Sequence, residues 1–488
     1  MRSRVIAAPD RDGAARASQA YNRLGRLNVG AIHTRRAFLE RAGRAALAWP
    51  ATSLAASWAR PALAAGPPVV APSPATLPTL AQRFSDLRRH FIFDFYPWYG
   101  GPPDYLHWDY LDRRPPLDLS SNYVPRLGPY DSRARAVLEQ QARWIADSGV
   151  GAIALSWWGI GHYTDAAVHD VMDVMAHYDI KVTFCLEPYR DDRGKVFAKD
   201  VRYLVREYGE KRGFDAMLLL RSADGREGPL FKGFACILPT DSTDCHGQTS
   251  PISNYTTDAQ WRSQTDEIRD ALRGQFDHVT LLADSLHWTR TVASGFDGIT
   301  VFDNYIGPDR YAGYAAGASA NDLVFSFNVN PGFDMILDRE APPGSCYAPP
   351  AFAPPTEAAI DWSRREERER AARLSQTRIT SAFQATLAVQ SDPALSNARR
   401  GFFLVYINSF NEWHEGHAFE PMKDFGQLTA EERALGYHNP SDGSYRLDTL
   451  GALLRPVLAD GTGTGAEAAG LSIPTGGHTR ARDIPQTR

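Results

Sequence analysis

Glu412 and Glu415, three positions apart with Trp413 and His414 between them, are the residues whose types and spacing best fit chemistry. An i, i+3 pair spans one turn of helix, so both carboxylates can lean toward a single point. Cleaving a glycosidic bond calls for such a pair. One group protonates the leaving oxygen, and the other handles charge or a nucleophile at the sugar. An isolated E-x-x-E is ordinarily an exposed helix face. Here an apolar run at residues 402–407, which reads as a buried strand, discharges directly into the pair, and Asn411 stands beside it.

Other chemistries fit poorly. His414-Glu415-Gly416-His417 approaches a zinc-protease helix, but that motif needs histidine one position later, where Ala418 stands. No G-x-S-x-G follows a strand and no C-x-x-C pair occurs, so neither a serine nucleophile nor a structural zinc site is expected, and no cofactor is assigned. A formal net charge of -4 argues against nucleic-acid or membrane partners. The chain's 11 Trp, 20 Tyr and 23 Phe offer ample surface for stacking an oligosaccharide or polysaccharide.

The elements that must position these residues alternate. Apolar runs at 91–96, 151–156, 181–186, 230–237, 278–283, 298–302, 323–327 and 402–407 read as strands. Amphipathic stretches at 133–148, 165–178, 199–208, 258–273 and 364–389 read as helices. Runs apolar on both faces belong to a parallel sheet covered by helices. Their number predicts the α/β class, as a single (β/α)8 TIM barrel with extended βα loops; an open doubly wound sheet is the alternative. Chemistry in such barrels sits at the carboxyl ends of the strands. Those ends read FYPWYG, SWWGIGHY, EPYRD, LPTD, ADSLHW, FDNY, NVNPG and NEWHEG, so the polar-aromatic clusters fall on one side. Trp98, Tyr99, Trp157 and Trp158 are expected to act together as stacking faces, with His107 in the loop after the first strand. Glu187 is expected to project into the site as a third carboxylate; an ion pair with Arg190 is the plainer reading.

Residues 1–65 carry Arg35-Arg36-Ala37-Phe38-Leu39, an Ala-rich stretch at 45–59 and Ala62-Leu63-Ala64. That order matches a twin-arginine export signal with its cleavage site, and predicts a periplasmic or secreted protein. Residues 66–85 read as a Pro-rich linker, 86–458 as the catalytic domain and 459–488 as a disordered tail. In an oxidising compartment Cys236 and Cys245 are near enough in sequence to bridge, whereas Cys185 reads as a buried thiol.

FYPWYG, LSWWG, VTFCLEPY, SGFDGI and INSFNEWHEG, with LGPYDSR before the first helix, resemble glycoside hydrolase family 99 over residues 91–416. That family comprises endo-α-mannosidases and endo-α-mannanases. The resemblance implies a (β/α)8 barrel and retention of configuration without a metal. By resemblance, Glu412 draws the proton from the sugar 2-hydroxyl, whose oxygen attacks the anomeric carbon to give a 1,2-anhydro sugar. Glu415 then acts as general acid and later as base, and Glu187 lines the subsite of cleavage. Tyr189, Trp98, Tyr99, His107, Trp157, Trp158, Asn411, Trp413 and His414 complete the expected substrate-binding set. The tandem Trp157-Trp158 looks like bacterial mannan-cleaving members rather than the animal Golgi enzymes, which favours mannose beyond the cleaved residue. Residues 236–261 and 341–355 depart from the family pattern. A non-hydrolytic carbohydrate-binding or polysaccharide-assembly protein of the same fold is the alternative reading.

Overall fold

The structure is a computed structural model that describes residues 79–244, 246–302, 304, 306–337 and 359–459. The export region at 1–65, most of the linker, Cys245, Cys346, the insert at 341–355 and the tail from 460 lie outside the described residues.

Eight strands close a barrel: β1 (Phe91–Phe95), β2 (Ala152–Trp157), β3 (Lys181–Leu186), β4 (Glu227–Gly233), β5 (Thr280–Asp284), β6 (Gly298–Val301), β7 (Val324–Val329) and β8 (Val405–Ile407). Every neighbouring pair is parallel. β1 lies between β2 and β8, and β3 pairs with β4 to close the ring. The helices between and after them are α1 (Arg135–Ser148), α2 (Tyr163–His177), α3 (Arg193–Leu204), α4 (Asp258–Ala271), α5 (Trp288–Ala293), α6 (Tyr311–Ala320), α7 (Arg365–Ser391) and α8 (Tyr445–Ala459). The (β/α)8 expectation holds.

The strands work because successive side chains point to opposite faces. On β1, Phe91, Phe93 and Phe95 face the helix layer, where the Phe91 ring stacks on Phe383 of α7 at 6.1 Å. Ile92 faces the barrel interior with Ala152, Ala154, Leu230, Leu282 and Leu404. Each fully buried Phe or Leu contributes about 1.5–3 kcal/mol, so neither face can be given up. α8 completes the helix ring through Tyr445, Leu447, Leu450 and Leu454. It comes so close to the end of α1 that a Cβ on Gly149 would lie 2.9 Å from Leu458.

Differences from the sequence expectation have local causes. β4 ends at Gly233 rather than 237, because the Arg193 guanidinium gathers the carbonyls of Phe234 and Ala235 at 2.6 and 2.7 Å and turns the chain away. α5 has only six residues, and α6, YAGYAAGASA, is too rich in Ala and Gly to show an apolar stripe. The expected linker ends before residue 85. Thr79 caps a short helix at Leu80–Arg83, and Phe84 packs against His90 and Phe403. Cys185 and Cys236 are both buried, and burial pushes the free Cys236 thiol up to about 11. No helix among the described residues is long and apolar enough to cross a membrane.

Charged groups enter the interior near the strand ends. Asp94 of β1 and Lys232 of β4 form an ion pair across the barrel, both almost fully buried, with the Lys232 ammonium 4.0 Å from the Tyr406 ring centroid. Burial works against the ammonium's charge, but Asp94, with a smaller contribution from Glu187, outweighs it and holds the lysine above its ordinary range. Removing one member strands the other in a dry layer. Lys232→Met should lower the unfolding free energy by about 3–5 kcal/mol, and adding Asp94→Leu should restore most of it. Denaturant titration checks this; a single variant within about 1 kcal/mol of wild type would contradict a buried, mutually dependent pair.

Candidate active site

Past β8 the chain forms a loop that hydrogen-bonds to itself. Ser409 N–H donates to the His417 carbonyl at 3.2 Å, Phe419 N–H to Ser409 at 2.9 Å and Glu420 N–H to Phe410 at 2.7 Å. Phe410 N–H also donates to the Asp94 carbonyl at 2.8 Å, which pins this neck to β1. Glu412 and Glu415 lie on the turn at the head of the loop. The turn is not the helical turn that their spacing suggests: one 3.3 Å bond from Gly416 N–H to the Trp413 carbonyl closes it. Gly416 is required there. Its φ is +68°, and a Cβ would lie 2.1 Å from the Asp334 carbonyl oxygen. That approach exists because residues 334–336 run beside the turn, with Asp334 N–H donating to Glu415 and Ile336 N–H to His414.

Glu412 and Glu415 are only 1% and 7% exposed, which excludes a solvated helix face. Their partners differ. Glu412 Oε1 accepts from the His414 N–H at 3.0 Å, and its own N–H donates to Ser409 Oγ at 2.8 Å. Glu415 Oε2 meets Nε2 of the buried His417 at 2.8 Å. Nε2 of His414 lies 2.8 Å from the His107 carbonyl, which can only accept, so that nitrogen carries the proton and Nδ1 faces Glu412 at 3.6 Å. Tyr99 takes the Trp413 N–H on its hydroxyl at 3.0 Å. Burial, then the charge of Glu412, holds its phenol well above its ordinary range, so it stays protonated. His107 is held neutral by burial and by His414 and His162.

One wall is aromatic. Trp98 stacks on His107 at 4.8 Å and lies 5.8 Å from His414 and 6.2 Å from Trp158. Ser156 joins this wall to the third carboxylate: its hydroxyl donates to Glu187 Oε1 at 2.8 Å and accepts from Trp158 Nε1 at 3.1 Å. Arg190 pairs with Asp192.

Four expected site residues are used elsewhere. Trp157 follows Ser156 and so points outward. Its indole N–H donates to Asp165 of α2 at 2.8 Å and its ring packs on Tyr203 and Tyr189. The Tyr189 hydroxyl is bound to Asp200 of α3. Asn411 clips the Tyr96 backbone, accepting from its N–H at 2.7 Å and donating to its carbonyl at 3.0 Å. Trp413, fully buried, turns its indole N–H away from the pair to Glu420 at 3.0 Å.

Sequence reasoning missed Glu420, Tyr130, His417, Ser156 and Lys232. Glu420 is a buried carboxylate that accepts from Tyr130 at 2.7 Å, Gln141 at 3.0 Å and Trp413; burial pushes it up to about 7 against those donors. Tyr130 does lie within the LGPYDSR motif, but nothing local marks its hydroxyl. Among the described residues no group of three or more His, Cys, Asp and Glu side chains could hold a metal ion.

Comparison with known proteins agrees with this geometry. The family model of glycosyl hydrolase family 99 matches residues 86–231. The chain is 26% identical over 377 residues to a mouse glycoprotein endo-alpha-1,2-mannosidase-like protein, covering 69% of each chain. It is 26% identical over 363 residues to the glycoprotein endo-alpha-1,2-mannosidase of Xenopus laevis, covering 67% of this chain and 68% of that one. The solved GH99 endo-alpha-mannosidase from Bacteroides thetaiotaomicron shares the fold at a TM-score of 0.53 and 20% identity, over 75% of this chain and 97% of that one. By the family match and the curated relatives the chain is similar to glycosyl hydrolase family 99, and it is a glycoside hydrolase.

Proposed function

We propose that the chain cleaves internal α-mannosidic bonds of a mannan or related glycan with retention of configuration, Glu412 and Glu415 dividing the proton transfers. One observation carries this reading: a single turn at the barrel mouth buries both carboxylates and gives each a different partner, His414 N–H for Glu412 and His417 for Glu415. The relatives' names, endo-alpha-1,2-mannosidase and endo-alpha-mannosidase, support the substrate class.

In an α-mannoside the axial 2-oxygen lies on the face opposite the axial leaving group, in line for displacement. In this scheme Glu412 takes the 2-hydroxyl proton, O2 bonds to C1 and the C1–O bond to the leaving group breaks. Glu415 protonates the departing oxygen. Water then attacks C1, gives its proton to Glu415, and O2 recovers its proton from Glu412. A carboxylate base needs desolvation and a fixed direction, which burial and the His414 N–H supply. Glu187 lies toward the cleaved sugar, and Trp98, His107 and Trp158 offer it faces. Trp158 supports mannose beyond the cleaved residue, on the bacterial pattern of the family.

Glu412→Gln and Glu415→Gln should each lower kcat by at least ~10²-fold, the usual minimum for a lost acid or base. They should separate on an activated leaving group, which departs without protonation: Glu415→Gln then recovers its first step in part and Glu412→Gln does not. Equal recovery of both would contradict the division of roles.

We also infer export by the twin-arginine route, from Arg35-Arg36 and Ala62-Leu63-Ala64. Amino-terminal sequencing of the exported protein should begin near Ala65. An intact amino terminus in the cytoplasmic fraction would count against it.

A further inference from the structure

Glu420 is a buried carboxylate that the proposed chemistry does not use. It stands at the neck of the loop that carries Glu412 and Glu415, its N–H bonded to the Phe410 carbonyl. Its side chain reaches back under the head of the loop. Oε2 accepts from Trp413 Nε1 at 3.0 Å and from the Tyr130 hydroxyl at 2.7 Å, and Oε1 accepts from Gln141 of α1 at 3.0 Å. The Tyr130 oxygen in turn accepts from Trp413 Nε1 at 3.2 Å and lies 3.4 Å from the Asn411 amide. Trp413 is the residue between the two glutamates, and Asn411 immediately precedes them. Donors from α1, from the loop after β1 and from the turn itself therefore converge on one carboxylate.

We propose that Glu420 is a positioning residue: with Tyr130 it fixes the Trp413 indole from below and so sets where the Glu412 and Glu415 carboxylates stand. The proposal rests on the hydrolase reading above for its kinetic consequence, though not for its structural one. The Trp413 indole N–H can only donate and so needs an acceptor at Oε2, whereas Tyr130 and the Gln141 amide can also accept. An ionised carboxylate offers both oxygens as acceptors and makes the stronger, charge-assisted bonds. Glu420→Gln removes the charge and one of the two acceptor oxygens, which weakens the bonds to Tyr130 and Trp413. The carboxylate pair must then sit off its productive geometry, whereas the aromatic wall of Trp98, His107 and Trp158, built on other elements, stays in place.

The test is Glu420→Gln and Tyr130→Phe, singly and together, in the full chain. On an α-mannoside substrate each single variant should lower kcat at least ~10-fold with KM within about 3-fold, since small misplacement of reacting groups acts on the chemical step. The double variant should be no worse than the poorer single, because both changes break one network. A role in stability alone would lower the melting temperature and leave kcat unchanged, and that result would overturn the proposal, as would fully multiplicative losses. Tyr130→Phe keeps the ring and carries the test by itself if Glu420→Gln does not fold. A crystal structure of either variant gives a readout that needs no turnover: the Trp413 indole and the 412–415 turn should be displaced. An unmoved turn would overturn the proposal. A wild-type protein inactive on α-mannosides would instead defeat the hydrolase reading and leave the crystallographic result to decide the role of Glu420.

Discussion

The structure depends on keeping several carboxylates out of water at the mouth of a closed barrel. Each buried carboxylate must be met by donors or by a cation, or folding forfeits several kcal/mol. The self-bonded loop at residues 409–420 meets this demand for two of them. Its backbone neck joins Phe410 to Asp94 on β1 and continues the β7–β8 ladder, where Asn408 N–H donates to Val329. Backbone and imidazole N–H groups are thereby delivered to Glu412 and Glu415 without relying on mobile surface side chains. Gly416 follows from the same demand, since only a residue without Cβ lets residues 334–336 press against the turn.

Below the turn the barrel changes character over one layer. Ala152 and Ala154, with Leu residues from β4 and β5, fill the lower interior. One step higher stand the Asp94–Lys232 pair, then Ser156 and Glu187. Lys232 is paired to Asp94, yet the charge of Glu187 also reaches it, so a fixed cation lies close to a further buried carboxylate. That arrangement is costly for folding and suits a site that must hold negative charge away from solvent. It links the packing of the barrel to its chemistry: the register that puts Phe91, Phe93 and Phe95 against the helices also points Asp94 inward.

Much of this was legible in the sequence. All eight strands show as apolar runs because both of their faces are buried, and the E-x-x-E pair is conspicuous after β8. Adjacent residues were harder to separate. Trp157 and Trp158 look alike as letters, but period-two alternation sends one into the helix layer and the other to the site, and without the register of β2 there is no telling which. Trp413 and Asn411 sit beside the glutamates in sequence and yet serve as tethers, because the turn exposes one side only. Glu420, Tyr130 and Gln141 meet through closure of the barrel across some 290 positions, so no window of sequence contains the network. The turn holding the pair also defeated its own spacing rule, since tertiary bonds from Asp334 and Ile336 replace the helical ones.

The account's central claim is that the 2-hydroxyl of an α-mannoside, activated at Glu412, is the nucleophile in this barrel. The most direct measurement compares wild-type turnover of an α-mannoside with that of its 2-deoxy analogue, identical in leaving group. The account predicts cleavage of the first with retained configuration and no turnover of the second, whose attacking oxygen is missing. Comparable turnover of the 2-deoxy substrate would contradict it.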